Sequence, residues 1–161
     1  YNMQPFEQKK ENLVAVVRQV VVDFLNMNID EKFPIEWKTK NDFVSCFANI
    51  DSNLIKRALA NLIQNSINHN ENGCTIYISV KEDEKNCIIC VEDNGTGVSD
   101  KELEKLNNAP HYMVCDKNTT EQRHGLGLLI VKQIIDVHNG KIMMKHSEYG
   151  GFKVVLEIPK I

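Results

Sequence analysis

The apolar pattern of this sequence predicts an α/β fold of two layers. A mixed, mostly antiparallel sheet carries three main helices on one face. Three observations lead there. Apolar residues recur at helical spacing in three long segments: at Leu13, Val16, Val17, Val20, Val21, Phe24 and Leu25; at Leu54, Ile55, Ala58, Leu59, Leu62 and Ile63; and through "LGLLIVKQIIDVHN". Two segments read as hairpins: "CTIYISVK" with "NCIICVED" around the polar "EDEK", and "KIMMKHS" with "FKVVLEIP" around Glu148-Tyr149-Gly150-Gly151. No internal repeat, low-complexity tract or interdomain linker separates these elements, so the 161 residues are expected to form a single domain.

In chain order, the first helix is expected from Phe6 to about Met27, with a charged face opposite its apolar stripe. After "NIDEKF", the stretches "PIEWKT" and "FVSCFANI" read as two short strands around a turn at Asn41-Asp42. Asp51 starts the second helix, which "NGC" ends before the first hairpin. "DNGTG" is a glycine-rich loop, followed by a short helix from Ser99 to about Leu106. Residues 107–124 have no periodicity, and a loop of that length in a compact domain is functional or disordered. The third main helix opens at the glycines of "RHGLGLLIVKQ" and is closed by Gly140.

Composition narrows the function. A net charge of −3 argues against a broad nucleic-acid-binding surface. No apolar run approaches the roughly 20 residues a membrane-spanning helix needs, and a chain opening on Tyr1 is expected to be a piece of something longer. The five cysteines, Cys46, Cys74, Cys87, Cys90 and Cys115, lie mostly in apolar, strand-like surroundings, which predicts buried thiols in a reducing compartment. Cys87 and Cys90 share a C-x-x-C, but on a strand their sulfurs point to opposite faces, which suits neither a metal nor a redox pair.

Three further features combine into one candidate site. On the second helix Asn61, Asn65 and Asn68 fall within an arc of roughly 60° at 100° per residue. Amide oxygens there suit a hard cation such as Mg²⁺ and amide nitrogens suit phosphate oxygens, although such a line is also compatible with a solvated helix edge. Asp93 ends an apolar strand before Asn94-Gly95-Thr96-Gly97. Its carboxylate accepts hydrogen bonds and matches an exocyclic amine such as that of adenine, while D-N-G alone is a common turn. Gly125-Leu126-Gly127-Leu128 at a helix start would offer free N–H groups and a positive dipole end to phosphate, or simply permit a close helix-to-sheet contact. Together they describe a nucleotide site. The sequence contains neither a P-loop nor a dinucleotide fingerprint after a strand.

These stretches resemble the catalytic and ATP-binding domain of two-component sensor histidine kinases, in the GHKL superfamily. "RALANLIQNSINH" resembles the N box, "VEDNGTGV" the first glycine box and "GLGLLIVKQIIDVHNGKI" the second, and the likeness runs from about Phe6 to Pro159. The H-x-G-x-I ending, His138 to Ile142, is similar to sensor kinases rather than to the gyrase, mismatch-repair and chaperone branches. The resemblance implies a Bergerat-type α/β sandwich binding ATP and Mg²⁺, with Asn65 as the metal ligand and Asn61 supporting the phosphate side. It implies that Asp93 binds the adenine amine in a pocket shaped by Gly95, Gly97 and Val98. It also implies phosphates held along Gly125, Leu126, Gly127 and Leu128, and an ATP lid at 107–124. Residues 1–5 would end the upstream connection.

Some positions depart from the family pattern. Asn68 and His69 stand where a basic and an aromatic residue are usual, Pro110 and Tyr112 are the only remnants of the lid's phenylalanine box, and Arg123-His124 replace a glycine and a small hydroxyl residue. Arg123 is placed either at the γ-phosphate, restoring positive charge, or in solvent on the lid. His124 is read as a loop residue at the phosphate-binding edge. His69, His111, His138 and His146 are not expected to be phosphoacceptors; in this family the acceptor lies in a separate histidine-containing dimerisation domain of the same parent. The implied function is transfer of the γ-phosphoryl group to that histidine, with a response regulator downstream, from a cytoplasmic domain of a membrane-anchored parent. The alternatives are an ATP-binding regulatory module without phosphotransfer and an anti-sigma-factor serine kinase.

Overall fold

The computed structural model describes residues 5–27, 30–108 and 120–161, and of residues 120–126 the backbone alone. The elements are β1 (Lys9–Asn12), α1 (Leu13–Asn26), β2 (Ile35–Trp37), β3 (Phe47–Ile50), α2 (Ser52–His69), β4 (Ile76–Glu82), β5 (Asn86–Asp93), α3 (Asp100–Asn108), α4 (Thr120–Val137), β6 (Lys141–His146) and β7 (Phe152–Pro159). Five strands make the main sheet in the order β2-β4-β5-β7-β6, parallel only between β2 and β4, while β1 and β3 form a separate antiparallel ribbon. Alternation along the central strands points Ile76, Ile78, Val80, Ile89, Val91, Val154, Leu156 and Ile158 to one side, where they are buried. The apolar stripes of α1, α2 and α4 cover that side through Val17, Leu59, Leu128 and Ile135. The expected two-layer arrangement is therefore present.

Side chains chosen for the helix ends fix where the helices start. The Asn12 oxygen accepts from Val14 N–H and also from Cys46 N–H, so one amide caps α1 and ties down the residue before β3. Asp51 caps α2 by accepting from Asn53 and Leu54. Ser99 and Glu102 form a reciprocal capping box at α3. Beyond α4, His138 is buried. Its Nδ1–H donates to the Ile134 carbonyl and its Nε2 accepts from Asp51 N–H, which joins the end of α4 to the start of α2.

The structure corrects several expectations. The polar run Lys9–Asn12 is a strand, because pairing with β3 satisfies its backbone, and the ribbon's buried face is supplied by Ala48 and Ile50 of β3. The strands β2 and β3 are not partners across a turn. β2 joins β4 in parallel, since α2 supplies the crossover that parallel strands need. α4 begins at Thr120, five residues before Gly125, because Glu121, Gln122 and Arg123 are good helix formers and carry it through the glycines. Asn107 and Asn108 belong to α3 and Thr120–His124 to α4, so only residues 109–119 of the expected lid, with Pro110, Tyr112, His111 and Cys115, lie outside the described residues. The left-handed residue ending α4 is Asn139, with φ 59°. Gly140 serves close packing instead, because a Cβ there would collide with the Glu157 carbonyl of β7.

Cys46 and Cys87 are joined in a disulfide, against the expectation of free thiols; Cys74 and Cys90 are free and buried. Cys87 and Cys90 do fall on opposite faces, and the bond runs instead from the ribbon to the main sheet across 41 residues. A crosslink of this separation restricts the unfolded chain by about 4 kcal/mol on the loop-entropy estimate. Replacing both cysteines by serine is expected to lower unfolding stability by about 2–4 kcal/mol in urea titrations. Adding reductant to the native protein should reproduce that loss, and identical urea curves would refute the crosslink's role.

Candidate functional site

The cleft lies where the end of β5 meets the second half of α2 and the turn before β7. Asp93 ends β5 on the helix-facing side and is 2% exposed. Its Oδ1 accepts from the backbone N–H groups of Gly95 at 3.0 Å and Phe152 at 3.1 Å, and its Oδ2 accepts from the Ser66 hydroxyl at 2.9 Å. An ionised carboxylate has about four acceptor places. The described residues take three, which leaves one on Oδ2 of a residue that lines the cleft.

Absent side chains permit this geometry. A Cβ on Gly151 would collide with Asp93 Oδ1, and one on Gly95 would collide with the Asn70 amide. Gly97 has φ +66°, a left-handed turn that costs glycine nothing. Asn70, which ends α2, donates from Nδ2 to the Ser66 carbonyl and accepts at Oδ1 from Thr96 N–H, pinning the glycine loop to the helix. Val98 then packs partly buried against the core.

Along α2, the amide nitrogens of Asn61 and Asn65 are buried with no hydrogen-bond partner among the described residues. A buried donor left unpaired costs about 1–3 kcal/mol, so two of them one turn apart fit an anionic, oxygen-rich guest. Turned over, the same Asn65 amide presents an oxygen, which fits a hard cation such as Mg²⁺. Among the described residues no cluster of His, Cys, Asp and Glu competes for a metal. Asn68 departs from that line: it is exposed and its oxygen accepts from Gln64. His69 lines the cleft.

Gly127 of α4 has a close neighbour on another helix. A Cβ on Gly127 would lie 2.7 Å from Asn65 Oδ1, so the residue that needs its space is an asparagine of α2. Inside a helix the N–H groups of Gly125, Leu126, Gly127 and Leu128 face carbonyls four residues back, which leaves the unpaired N–H groups in the turn from Thr120. Leu128 is fully buried and serves the core. Arg123 and His124 sit on the first turns of α4, and their side chains are outside the described residues. The cleft's described lining contains no lysine or arginine.

Sequence reasoning missed Ser66, Asn70, Gly151 and the Phe152 N–H. The Gly150-Gly151 pair held the one available signal. Gly150, at φ +109°, satisfies the turn by itself, which leaves Gly151 to be explained by something close. Cys74 lies behind the site. Burial and the neighbouring Asp93 charge push its thiol up to about 11, despite an opposing hydrogen bond from Asn70. The thiolate is the reactive form. Native protein treated with iodoacetamide at pH 8 should therefore leave Cys74 unmodified in peptide mass mapping, and rapid labelling there would contradict this placement.

Residues 50–161 match the family model of histidine kinase-, DNA gyrase B- and HSP90-like ATPases. The chain is 31% identical over 118 residues to the signal transduction histidine-protein kinase BaeS of Escherichia coli K12, covering 73% of this chain and 25% of that protein. It is 30% identical over 138 residues to the sensor histidine kinase YvrG of Bacillus subtilis, covering 86% and 23%. The chain thus spans about a quarter of the length of these curated relatives. Among solved structures, the nucleotide-free catalytic domain of histidine kinase ThkA superposes with a TM-score of 0.76 at 28% identity, covering 96% of this chain and 97% of that one. ThkA has also been solved in complex with the response regulator protein TrrA, with a TM-score of 0.74 at 24% identity over 96% and 42% of the two chains.

Proposed function

The chain belongs to the histidine kinase-, DNA gyrase B- and HSP90-like ATPases, as a catalytic and ATP-binding domain of the sensor histidine kinase type, and from that premise we propose that it binds Mg-ATP and presents the γ-phosphoryl group to a histidine on a separate dimerisation domain of the same parent. The observation that carries this reading is the acceptor place that the described residues leave on Asp93 Oδ2, in a cleft lined also by Asn65, whose buried amide nitrogen has no partner among them. Asp93 Oδ2 accepts from the exocyclic amine of adenine. Asn65 turns its amide oxygen to Mg²⁺, and Asn61 donates on the phosphate side. A Mg²⁺ ion held by Asn65 would supply charge neutralisation, and Arg123 adds a cation at the γ-phosphate from the start of α4. Phosphoryl transfer needs little else from a protein than position and charge.

A response regulator then takes the phosphoryl group from the histidine, as the ThkA–TrrA pairing supports. The domain works on the cytoplasmic side of a membrane-anchored parent; no helix among the described residues is long and apolar enough to cross a membrane. The test combines the chain, the parent's upstream histidine domain, Mg²⁺ and ATP labelled at the γ-position. A labelled histidine supports the proposal. ATP binding with no labelled histidine would instead indicate an ATP-gated regulatory module, and phosphoserine on a partner protein would indicate a serine kinase of the same superfamily.

A further inference from the structure

Ser66 is a polar residue in the buried half of a helix whose hydroxyl is turned away from that helix. It is 8% exposed, follows Asn65, and lines the cleft. Serine inside a helix commonly bonds the carbonyl four residues back. Here the hydroxyl reaches across 27 residues to donate to Asp93 Oδ2 at 2.9 Å, while the Ser66 carbonyl accepts from Asn70.

The two oxygens of Asp93 are held by different elements. Oδ1 is fixed by two backbone N–H groups, from Gly95 and Phe152. Rotation about the Cβ–Cγ bond moves both oxygens together, so bonds to Oδ1 alone resist it from one end of the carboxylate. The described structure gives Oδ2 one protein donor, the Ser66 hydroxyl. That bond holds the other end of the carboxylate against the same rotation and takes one of the two acceptor places on Oδ2. We propose that Ser66 is a positioning residue for base recognition: it sets the orientation of the Asp93 carboxylate, so that the one acceptor place left on Oδ2 faces the exocyclic amine of the base. This rests on the reading that Asp93 meets an adenine ring.

The inference predicts coupling between a protein hydroxyl and one ligand group. Calorimetric titrations would compare ADP with purine riboside 5′-diphosphate, the same nucleotide without its exocyclic amine. The wild-type protein should prefer ADP. Ser66→Ala should weaken ADP by about three- to tenfold, the worth of one oriented hydrogen bond, and change the analogue by less than about twofold. Ser66→Thr, which keeps the hydroxyl, should restore the preference. Ser66→Cys keeps the volume with a weaker donor and repeats the test if Ser66→Ala lowers the melting temperature. Equal weakening of both ligands, or of neither, would overturn the proposal, because a merely structural serine has no reason to distinguish them. Equal binding of both ligands by the wild type would instead remove adenine recognition by Asp93 itself, and the role of Ser66 with it.

Discussion

Asp93→Asn is expected to cost about 100-fold or more in ADP affinity, from a lost charge-assisted bond of about 1.5–3 kcal/mol and a new repulsion, while leaving the fold intact. The amide oxygen can still take the Gly95 and Phe152 N–H groups that Oδ1 takes now. The amide nitrogen then occupies the place of Oδ2. The Ser66 hydroxyl can rotate to accept from it, but the base's amine meets a donor where it needs an acceptor. Shape is kept and polarity reversed. Asp93→Ala is a poorer probe, because it leaves three donors in and around a buried site without their acceptor, at about 1–3 kcal/mol each. Titration calorimetry with ADP beside a thermal melt separates recognition from stability. Undiminished ADP affinity in the asparagine variant would sink the adenine assignment.

The second large effect is expected from Asn65→Ala: phosphoryl transfer to the histidine domain should fall by at least about 100-fold, since a positioned metal supplies several kcal/mol of charge stabilisation. The dependence of ATP affinity on Mg²⁺ should disappear, whereas metal-free ADP, read through Asp93, should bind much as before. Gly127→Ala provides an independent approach from the facing helix. Its new methyl would stand 2.7 Å from Asn65 Oδ1, so it should displace that amide and reproduce the defect in part. Transfer persisting within tenfold of wild type at saturating Mg²⁺ would remove Asn65 from the metal site.

Much of the fold and part of the site were legible in the sequence, for reasons that differ by residue. The stripes of α1 and α2 are local repeats, and each predicts its own buried face whatever it packs against. Asp93 was legible because an acid closing an apolar strand before glycines has few structural uses, and it proves buried with its hydrogen bonds filled from three sides. Ser66 was not, because a single serine in a helix gives no local sign of which distant carboxylate it will meet. The absence of a side chain at Gly127 was legible, but its neighbour Asn65, on another helix, was not. Asn68 shares a helical arc with Asn61 and Asn65, yet arcs ignore where the neighbouring helix ends, and Asn68 is left in solvent beside Gln64.

The sequence by itself determined three helices, two hairpins, the start of α2 at Asp51 and the residue types offered to a nucleotide, because local spacing and turn chemistry suffice for each. Only the tertiary structure decided that β2 pairs with β4 and β1 with β3, that Cys46 finds Cys87, and that Asn65 lies against Gly127. These are choices among partners tens of residues apart. They follow from how whole layers close over a shared core, and local periodicity is nearly the same for the partner chosen and the partners refused.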